Sequence, residues 1–291
     1  MPRLTSRFVQ LAVLGARHCV GQLDEPLAPA TPLYLATGLG DVARTDALYY
    51  QVMPPRGEMA SPAQFATSGN NMAAFFVAQQ LDLLSRNLTV SQHDLSFEHA
   101  LTLALDDMAA GIADTALLGG VDETTLPREF YVRRFLPGAD RSIGEGSAWL
   151  VLGSAPARAL GEVIGVQVLS AADNANAADD WAGRVAAVVH ALIPVGAALT
   201  LLPGLRLTPA QSAALQSRLS HAVVCDYRDA TGCLPTAAAL AMAGTFAGTH
   251  RSATTYVHVN RDAAGRSAVI VWRVDRTSSA GAGPSLSTPS R

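Results

Sequence analysis

The sequence contains no lysine, few charged residues and only three cysteines. All 21 basic residues are arginine, 15% of the 291 residues are charged, and the formal net charge is −3. This net charge gives no indication of a nucleic-acid partner or of an anionic-membrane partner, and we expect neither. No apolar run reaches the roughly 18 residues that a membrane-spanning helix needs, so we expect no membrane segment.

The cysteine pattern argues against two kinds of covalent or metal-based stabilisation. Cys19, Cys225 and Cys233 are odd in number and widely spaced, which argues against a disulfide framework and against a zinc site. We interpret them as small apolar residues and expect no metal and no cofactor.

The N-terminus has some features of a signal peptide. Arg3 and Arg7 precede a short apolar stretch, but Gln10 and Arg17 interrupt it and no small-residue cleavage site follows. An amphipathic helix over 5–21 fits better, and we therefore predict a cytoplasmic protein.

Helical and strand patterns alternate along the chain, which predicts a layered α/β protein. The predicted helices are 5–21, 70–85, 97–110, 179–192, 208–219 and 235–247. The predicted strands are 32–38, 88–90, 115–119, 149–153, 162–169, 197–202, 222–226, 256–260 and 267–273. The helix at 97–110 is almost wholly apolar, so we expect it in a central layer. The Ser/Gly/Pro-rich end of the chain predicts a disordered tail over 275–291.

Five segments occur in an order and spacing typical of one family. They are T-G-L-G-D (37–41), L-T-V-S-Q-H-D-L-S (88–96), G-I-A-D-T-A-L-L-G-G-V-D-E (111–123), G-E-G-S-A-W-L-V-L (144–152) and T-G-C-L-P-T-A-A-A-L-A-M-A (231–243). With these the chain resembles the β-ketoacyl synthases of the thiolase superfamily over most of 5–273. The resemblance implies a thiolase-like fold with two pseudo-symmetric halves, 1–155 and 156–274, in α/β/α/β/α layers. It also implies a shortened N-terminal half without the family's opening strand.

The departures from the family fall on its catalytic positions. The nucleophilic cysteine of the family corresponds to Asp94, its first catalytic histidine to about Pro203, and its second to Cys233. Ser96 keeps the serine two residues after the nucleophile. The resemblance therefore implies a catalytically degenerate member.

The replaced positions leave several interpretations open. Asp94 at a helix start favours a capping role over a nucleophile or base, with gating or ligand contact as a third possibility. A triad of Ser91, His93 and Asp94 is disfavoured because neighbours along a strand end point to opposite sides. A displaced nucleophile at Cys233 is disfavoured because no histidine adjoins it in sequence.

The resemblance implies a chain-length-factor-type subunit that forms a heterodimer with an active β-ketoacyl-ACP synthase and meets acyl carrier protein through that complex. The pathway would be of fatty-acid or polyketide type, for aryl polyenes or related pigments. One alternative is an independent acyltransferase or thioesterase with a site rebuilt around Asp94, His93 and Cys233. Another is a homodimeric acyl-binding scaffold.

The same resemblance implies where partners bind. We expect the strand at 88–90 to pair across the two-fold axis of the dimer, with Phe75, Phe76, Val90 and Leu95 at the acyl tunnel and interface. An arginine cluster provides a possible contact for acidic carrier protein, with a solvated surface or intersubunit salt bridges as the alternatives. Its members are Arg128, Arg133, Arg134 and Arg141.

Overall fold

The computed structural model describes residues 6–135, 142–154, 159–171, 180–248 and 252–275. The strands are β1 (Leu33–Ala36), β2 (Asn87–Val90), β3 (Thr115–Asp122), β4 (Gly146–Gly153), β5 (Gly161–Leu169), β6 (Leu199–Pro203), β7 (Ala222–Val224), β8 (Thr254–Arg261) and β9 (Ser267–Val274). The helices are α1 (Arg7–Val20), α2 (Val42–Val52), α3 (Pro62–Thr67), α4 (Met72–Gln80), α5 (Ser96–Ala109), α6 (Arg128–Phe135), α7 (Trp181–Leu192), α8 (Pro209–Arg218), α9 (Arg228–Thr231) and α10 (Ala237–Ala247). A 3₁₀ turn (His93–Leu95) precedes α5.

The strands form two sheets with related topology. One has the order β2-β1-β3-β4 and the other the order β5-β9-β8-β6-β7. In the first sheet, β1 pairs in parallel with β2 and β3, and β4 pairs antiparallel with β3. In the second sheet, β6 pairs in parallel with β7 and β8, and β9 pairs antiparallel with β8. Thus β2-β1-β3-β4 corresponds to β7-β6-β8-β9, and β5 adds a fifth strand to the second sheet. The predicted layered α/β fold is confirmed. The boundary at 155/156 stays a prediction, because residues 155–158 lie outside the described ranges.

Helix α5 lies between the two sheets. Its residues Phe97, Ala100, Leu101 and Ala104 are completely buried, and they share one apolar cluster with residues of both sheets and of α10. The central position predicted from its apolar sequence is confirmed. At the polar end of the helix, Asp107 accepts a hydrogen bond from Tyr34 and pairs with Arg86.

Local sequence signals explain several element boundaries. Helix α8 begins with a capping box, in which Thr208 and Gln211 each satisfy the other's backbone N–H, and Pro209 follows the cap. Strands β8 and β9 join through a tight turn in which Gly265 has φ +87°, a conformation that favours glycine.

The segment between β1 and α4 differs from the sequence-based prediction. It contains α2 and α3, neither of which has a buried residue. Packing against the core therefore puts no constraint on the sequence of these two helices. Helix α4 also ends five residues earlier than predicted, at Gln80, and Asp82 follows with φ 54°. That left-handed conformation cannot continue an α-helix.

Two further predictions meet the structure only in part. None of the helices in the described ranges is long and apolar enough to cross a membrane. The predicted disordered tail lies, from residue 276 onward, outside the described residues.

The carboxylate of Asp122, at the end of β3, joins the segment after β1 to the segment before α10. It accepts hydrogen bonds from Thr37 Oγ1 (3.0 Å) and the backbone N–H groups of Gly38 (2.9 Å) and Leu39 (3.1 Å). Its second oxygen accepts from the backbone N–H (3.0 Å) and Oγ1 (2.8 Å) of Thr236, just before α10. Burial raises the pKa of Asp122 to about 6, although these hydrogen bonds oppose the shift.

Replacing Asp122 by alanine should destabilise the fold, because the change leaves several buried donors without an acceptor. We expect a loss on the order of 3 kcal/mol in the free energy of unfolding, measured by urea denaturation. The control is Asp106→Ala, since Asp106 is exposed on α5. Equal losses in the two variants would contradict the role assigned to Asp122.

Candidate functional site

The chain makes a sharp elbow between β2 and α5. His93 has φ 52° and is exposed, whereas the next residue, Asp94, is buried. Ser96 Oγ supports this turn: it accepts a hydrogen bond from the backbone N–H of Gln92 (2.8 Å) and lies 2.9 Å from the carbonyl oxygen of Thr37. The elbow therefore directs His93 outward and Asp94 inward.

The side chain of Asp94 forms an ion pair between the elbow and the loop that follows β6. It is 1% exposed, and its Oδ2 accepts a hydrogen bond from Arg206 Nε at 2.7 Å. Arg206 is itself mostly buried, with 13% of its side chain exposed, and comes from the loop that follows β6. The backbone carbonyl of Asp94 accepts from Asn260 Nδ2 at 2.6 Å.

The predicted helix-capping role of Asp94 is wrong. The cap position of α5 is Leu95, and no side chain makes a capping hydrogen bond there. The 3₁₀ turn intervenes between the strand and α5 and points the carboxylate toward Arg206. The predicted absence of a Ser91–His93–Asp94 triad agrees with the geometry, since Ser91 and His93 are exposed while Asp94 is buried.

A second set of buried polar residues lies beside Asp94. Asn260 Nδ2 also donates to Glu98 Oε1 (2.9 Å), His258 Nδ1 lies 3.8 Å from the same oxygen, and Tyr227 Oη lies 2.9 Å from His258 Nε2. Burial raises the pKa of Glu98 to about 7 and lowers the pKa of His258 to about 3. Burial also raises the pKa of Tyr227. At neutral pH the histidine is therefore uncharged.

Sequence reasoning did not identify this second set. A signal was present: Glu98 interrupts an apolar helix, and His258 and Asn260 interrupt the apolar strand Y-V-H-V-N. Polar residues at buried positions must find partners within the fold. Their pairing could not be read from the sequence because Glu98 and Asn260 are 162 positions apart.

The other two replaced positions, Pro203 and Cys233, are buried among apolar residues or within a strand. Pro203 is buried at the end of β6, in register with Val259 of β8. Cys233 is 3% exposed and belongs to a small apolar cluster with Tyr131 and Leu205. Its backbone N–H donates to the carbonyl of Ser142 at 2.9 Å. Within the ranges that the structure describes, no three His, Cys, Asp or Glu side chains are placed to hold a metal ion.

The residues predicted for the acyl tunnel and interface are not all at the surface. Phe75 is half-exposed and contacts Phe76 edge-on at 5.4 Å between ring centroids. Phe76 and Val90 are partly buried, and Leu95 is fully buried within its own chain, which leaves it no surface to offer a partner. Strand β2, which carries Val90, is an edge strand.

The predicted carrier-protein contact is only partly visible. Arg133 is exposed on α6. The side chains of Arg128 and Arg134, and the whole of Arg141, lie outside what the structure describes.

This geometry can be compared with known proteins. No family model matches the sequence. No curated protein matches it either. Solved structures do match: the ishigamide ketosynthase/chain length factor has 22% identity and a TM-score of 0.72, over 93% of this chain and 81% of that one. The chain has the ketosynthase fold.

Two further structures with this fold are similar over the same share of the chain. A β-ketoacyl synthase from Burkholderia phymatum STM815 gives a TM-score of 0.75 at 16% identity, covering 93% of this chain and 83% of that chain. A type II polyketide synthase acyl carrier protein in complex with its ketosynthase bound to the hexaketide gives 0.72 at 16%, with 93% and 86% covered. The thiolase-like fold implied by the sequence resemblance is thereby confirmed.

Replacing Arg206 by alanine should leave the Asp94 carboxylate buried without its cation. We expect a loss of about 3 kcal/mol or more in the free energy of unfolding, measured by urea denaturation. The Asp94→Ala/Arg206→Ala double variant should lose less than the sum of the two single variants.

The control for this prediction is Arg218→Ala. Arg218 pairs with Asp180 at 2.8 Å, but both side chains are about half-exposed, so the loss should stay below about 1 kcal/mol. Additive losses at positions 94 and 206 would show that the pair is not coupled in solution.

Proposed function

We propose that the chain is the non-catalytic, chain-length-factor-type subunit of a β-ketoacyl-ACP synthase. The observation that carries the proposal is the ion pair at the elbow, where Asp94 is 1% exposed and Arg206 Nε lies 2.7 Å from its carboxylate. This is the position at which the resemblance puts the family's nucleophilic cysteine. A carboxylate held in this way presents no nucleophile to an acyl thioester.

The remaining replaced positions support the same conclusion. Pro203 has no side-chain donor, and Cys233 is buried in an apolar cluster. Neither can replace a histidine as a strong hydrogen-bond donor to an enolate oxygen. The alternative of an independent acyltransferase or thioesterase is disfavoured because His93 is exposed and turned away from buried Asp94.

A partner ketosynthase would supply the missing chemistry. In its support, one matched structure is a ketosynthase/chain length factor and another is a carrier protein in complex with its ketosynthase. The position of β2 at the edge of the described sheet and the half-exposed ring of Phe75 suit an interface. The subunit would complete the dimer and close one wall of the partner's acyl tunnel, so that product length follows from the enclosed volume.

The finer points of this proposal come from the sequence resemblance. They are fatty-acid or polyketide-type synthesis of an aryl polyene or related pigment in the cytoplasm, and a carrier-protein contact through Arg128, Arg133 and Arg134. A homodimeric acyl-binding scaffold is the outcome to expect if no ketosynthase binds.

The test is coexpression with a ketosynthase encoded beside this chain, followed by size-exclusion chromatography and a condensation assay. We expect a heterodimer that condenses acyl and malonyl thioesters, and no turnover by this chain alone. Intact-mass measurement after exposure of the isolated chain to an acyl thioester should show no stoichiometric acylation. Acyl transfer onto Cys233 would overturn the proposal and favour an enzyme.

Replacing Val90 by aspartate should break the heterodimer, because a charge would enter the proposed strand pairing at the edge of β2. Size-exclusion chromatography of the coexpressed pair should show two separate chains. The matched control is Val223→Asp on β7, which occupies the equivalent edge of the second sheet and is 67% exposed. Both variants are first checked for folding by circular dichroism. An intact complex with folded Val90→Asp would rule out pairing through β2.

A further inference from the structure

Glu98 occupies an unusual environment for a carboxyl group. It lies in the first turn of α5 and is completely buried. One oxygen, Oε1, accepts from Asn260 Nδ2 and lies 3.8 Å from His258 Nδ1. The other oxygen, Oε2, has no hydrogen-bond partner among the residues that the structure describes.

The charged and titratable groups around Glu98 come from five segments of the chain. The 3₁₀ turn contributes Asp94, whose negative charge disfavours ionisation of Glu98. The loop after β6 contributes Arg206, whose Nε is directed to Asp94. The start of α9 contributes Tyr227, just before the helix, and Arg228, its first residue. Arg228 pairs with Asp226 and donates to two backbone carbonyls.

Strand β8 contributes His258, and α5 itself contributes His99. The Nε2 atom of His258 meets Tyr227 Oη, and burial holds this imidazole neutral with a pKa of about 3. Electrostatic interactions link His99 to Arg266 and Asp262. In the described structure, the ion pairs of these arginines are made with aspartates, and Glu98 gains no permanent cation.

An ionised carboxylate in such surroundings is costly, because burial removes its hydration and no positive charge replaces it. The hydrogen bond from Asn260 favours the ionised form but is outweighed by burial, and the neutral acid keeps this hydrogen bond without the cost of desolvation. We propose that Glu98 is a pH-sensitive clamp between α5 and β8, closed as the neutral acid and loosened when it ionises. The clamp joins Glu98 of α5 to Asn260 and His258 of β8. It does not depend on the proposed pairing with a ketosynthase.

The pH window follows from the two states of the protein. The pKa of Glu98 rises from 4.5 when it is unfolded to about 7 when it is folded. Its contribution to stability is therefore fully present below pH 4.5 and is lost as the pH rises through 7. Within that window the equilibrium constant for unfolding should increase about tenfold per pH unit from this group alone.

Two other buried carboxyl groups contribute with the same sign. Burial raises the pKa of Asp122 to about 6 and that of Glu123 to about 7. The total pH dependence therefore exceeds the share of Glu98, and the experiment must isolate that share by substitution.

The experiment compares the wild-type chain with Glu98→Gln in urea denaturation between pH 5 and pH 7. Glutamine has the shape of the neutral acid, keeps an acceptor for Asn260 and cannot ionise. We expect the pH slope of Glu98→Gln to be lower than that of the wild type by about one proton, a factor of about ten per pH unit. Glu123→Gln is the matched control and should remove a separate, additive share.

A local measurement separates the clamp from a general effect on stability. Hydrogen exchange followed by mass spectrometry should show that residues 92–98 lose protection between pH 6 and pH 8, after correction for intrinsic exchange. Glu98→Gln should abolish this loss. An unchanged pH slope in Glu98→Gln, or pH-independent protection of the elbow in the wild type, would overturn the proposal.

Discussion

The hydrogen bonds of the Asp122 carboxylate are the constraint on which the rest of the structure depends. They bring the end of β1 and the start of α10 to one buried point, with contacts of 2.8–3.1 Å. The segment after β1 packs closely against the segment before α10, because a Cβ atom on Gly38 would lie 2.1 Å from Pro235. With these two segments fixed, the elbow at Asp94 faces the loop that carries Arg206, and Glu98 faces β8.

Much of the fold could be predicted because its signals are local. The apolar run of α5, the capping box of α8 and the glycine turn between β8 and β9 each specify an element from neighbouring residues. Helices α2 and α3 were not predicted. Neither buries a residue, so packing against the core puts no constraint on their sequence.

The candidate site was only half predictable. The family resemblance located Asp94, Pro203 and Cys233, but not what surrounds them. Arg206 lies 112 positions from Asp94, and nothing in the adjacent sequence L-P-G-L-R-L-T marks it as the partner of a buried carboxylate. A capping role is typical of an aspartate at a helix start. The prediction was wrong because the 3₁₀ turn directs the side chain of Asp94 toward Arg206 instead.

The Asp94–Arg206 pair also bears on how this position can evolve. An arginine side chain keeps its positive charge at all physiological pH values. A mutation that placed a thiol at position 94 would leave that charge largely buried and without its carboxylate, so the mutant would lose stability before it gained any chemistry. A nucleophile at the elbow therefore requires two coordinated substitutions, and selection acting one substitution at a time preserves the ion pair.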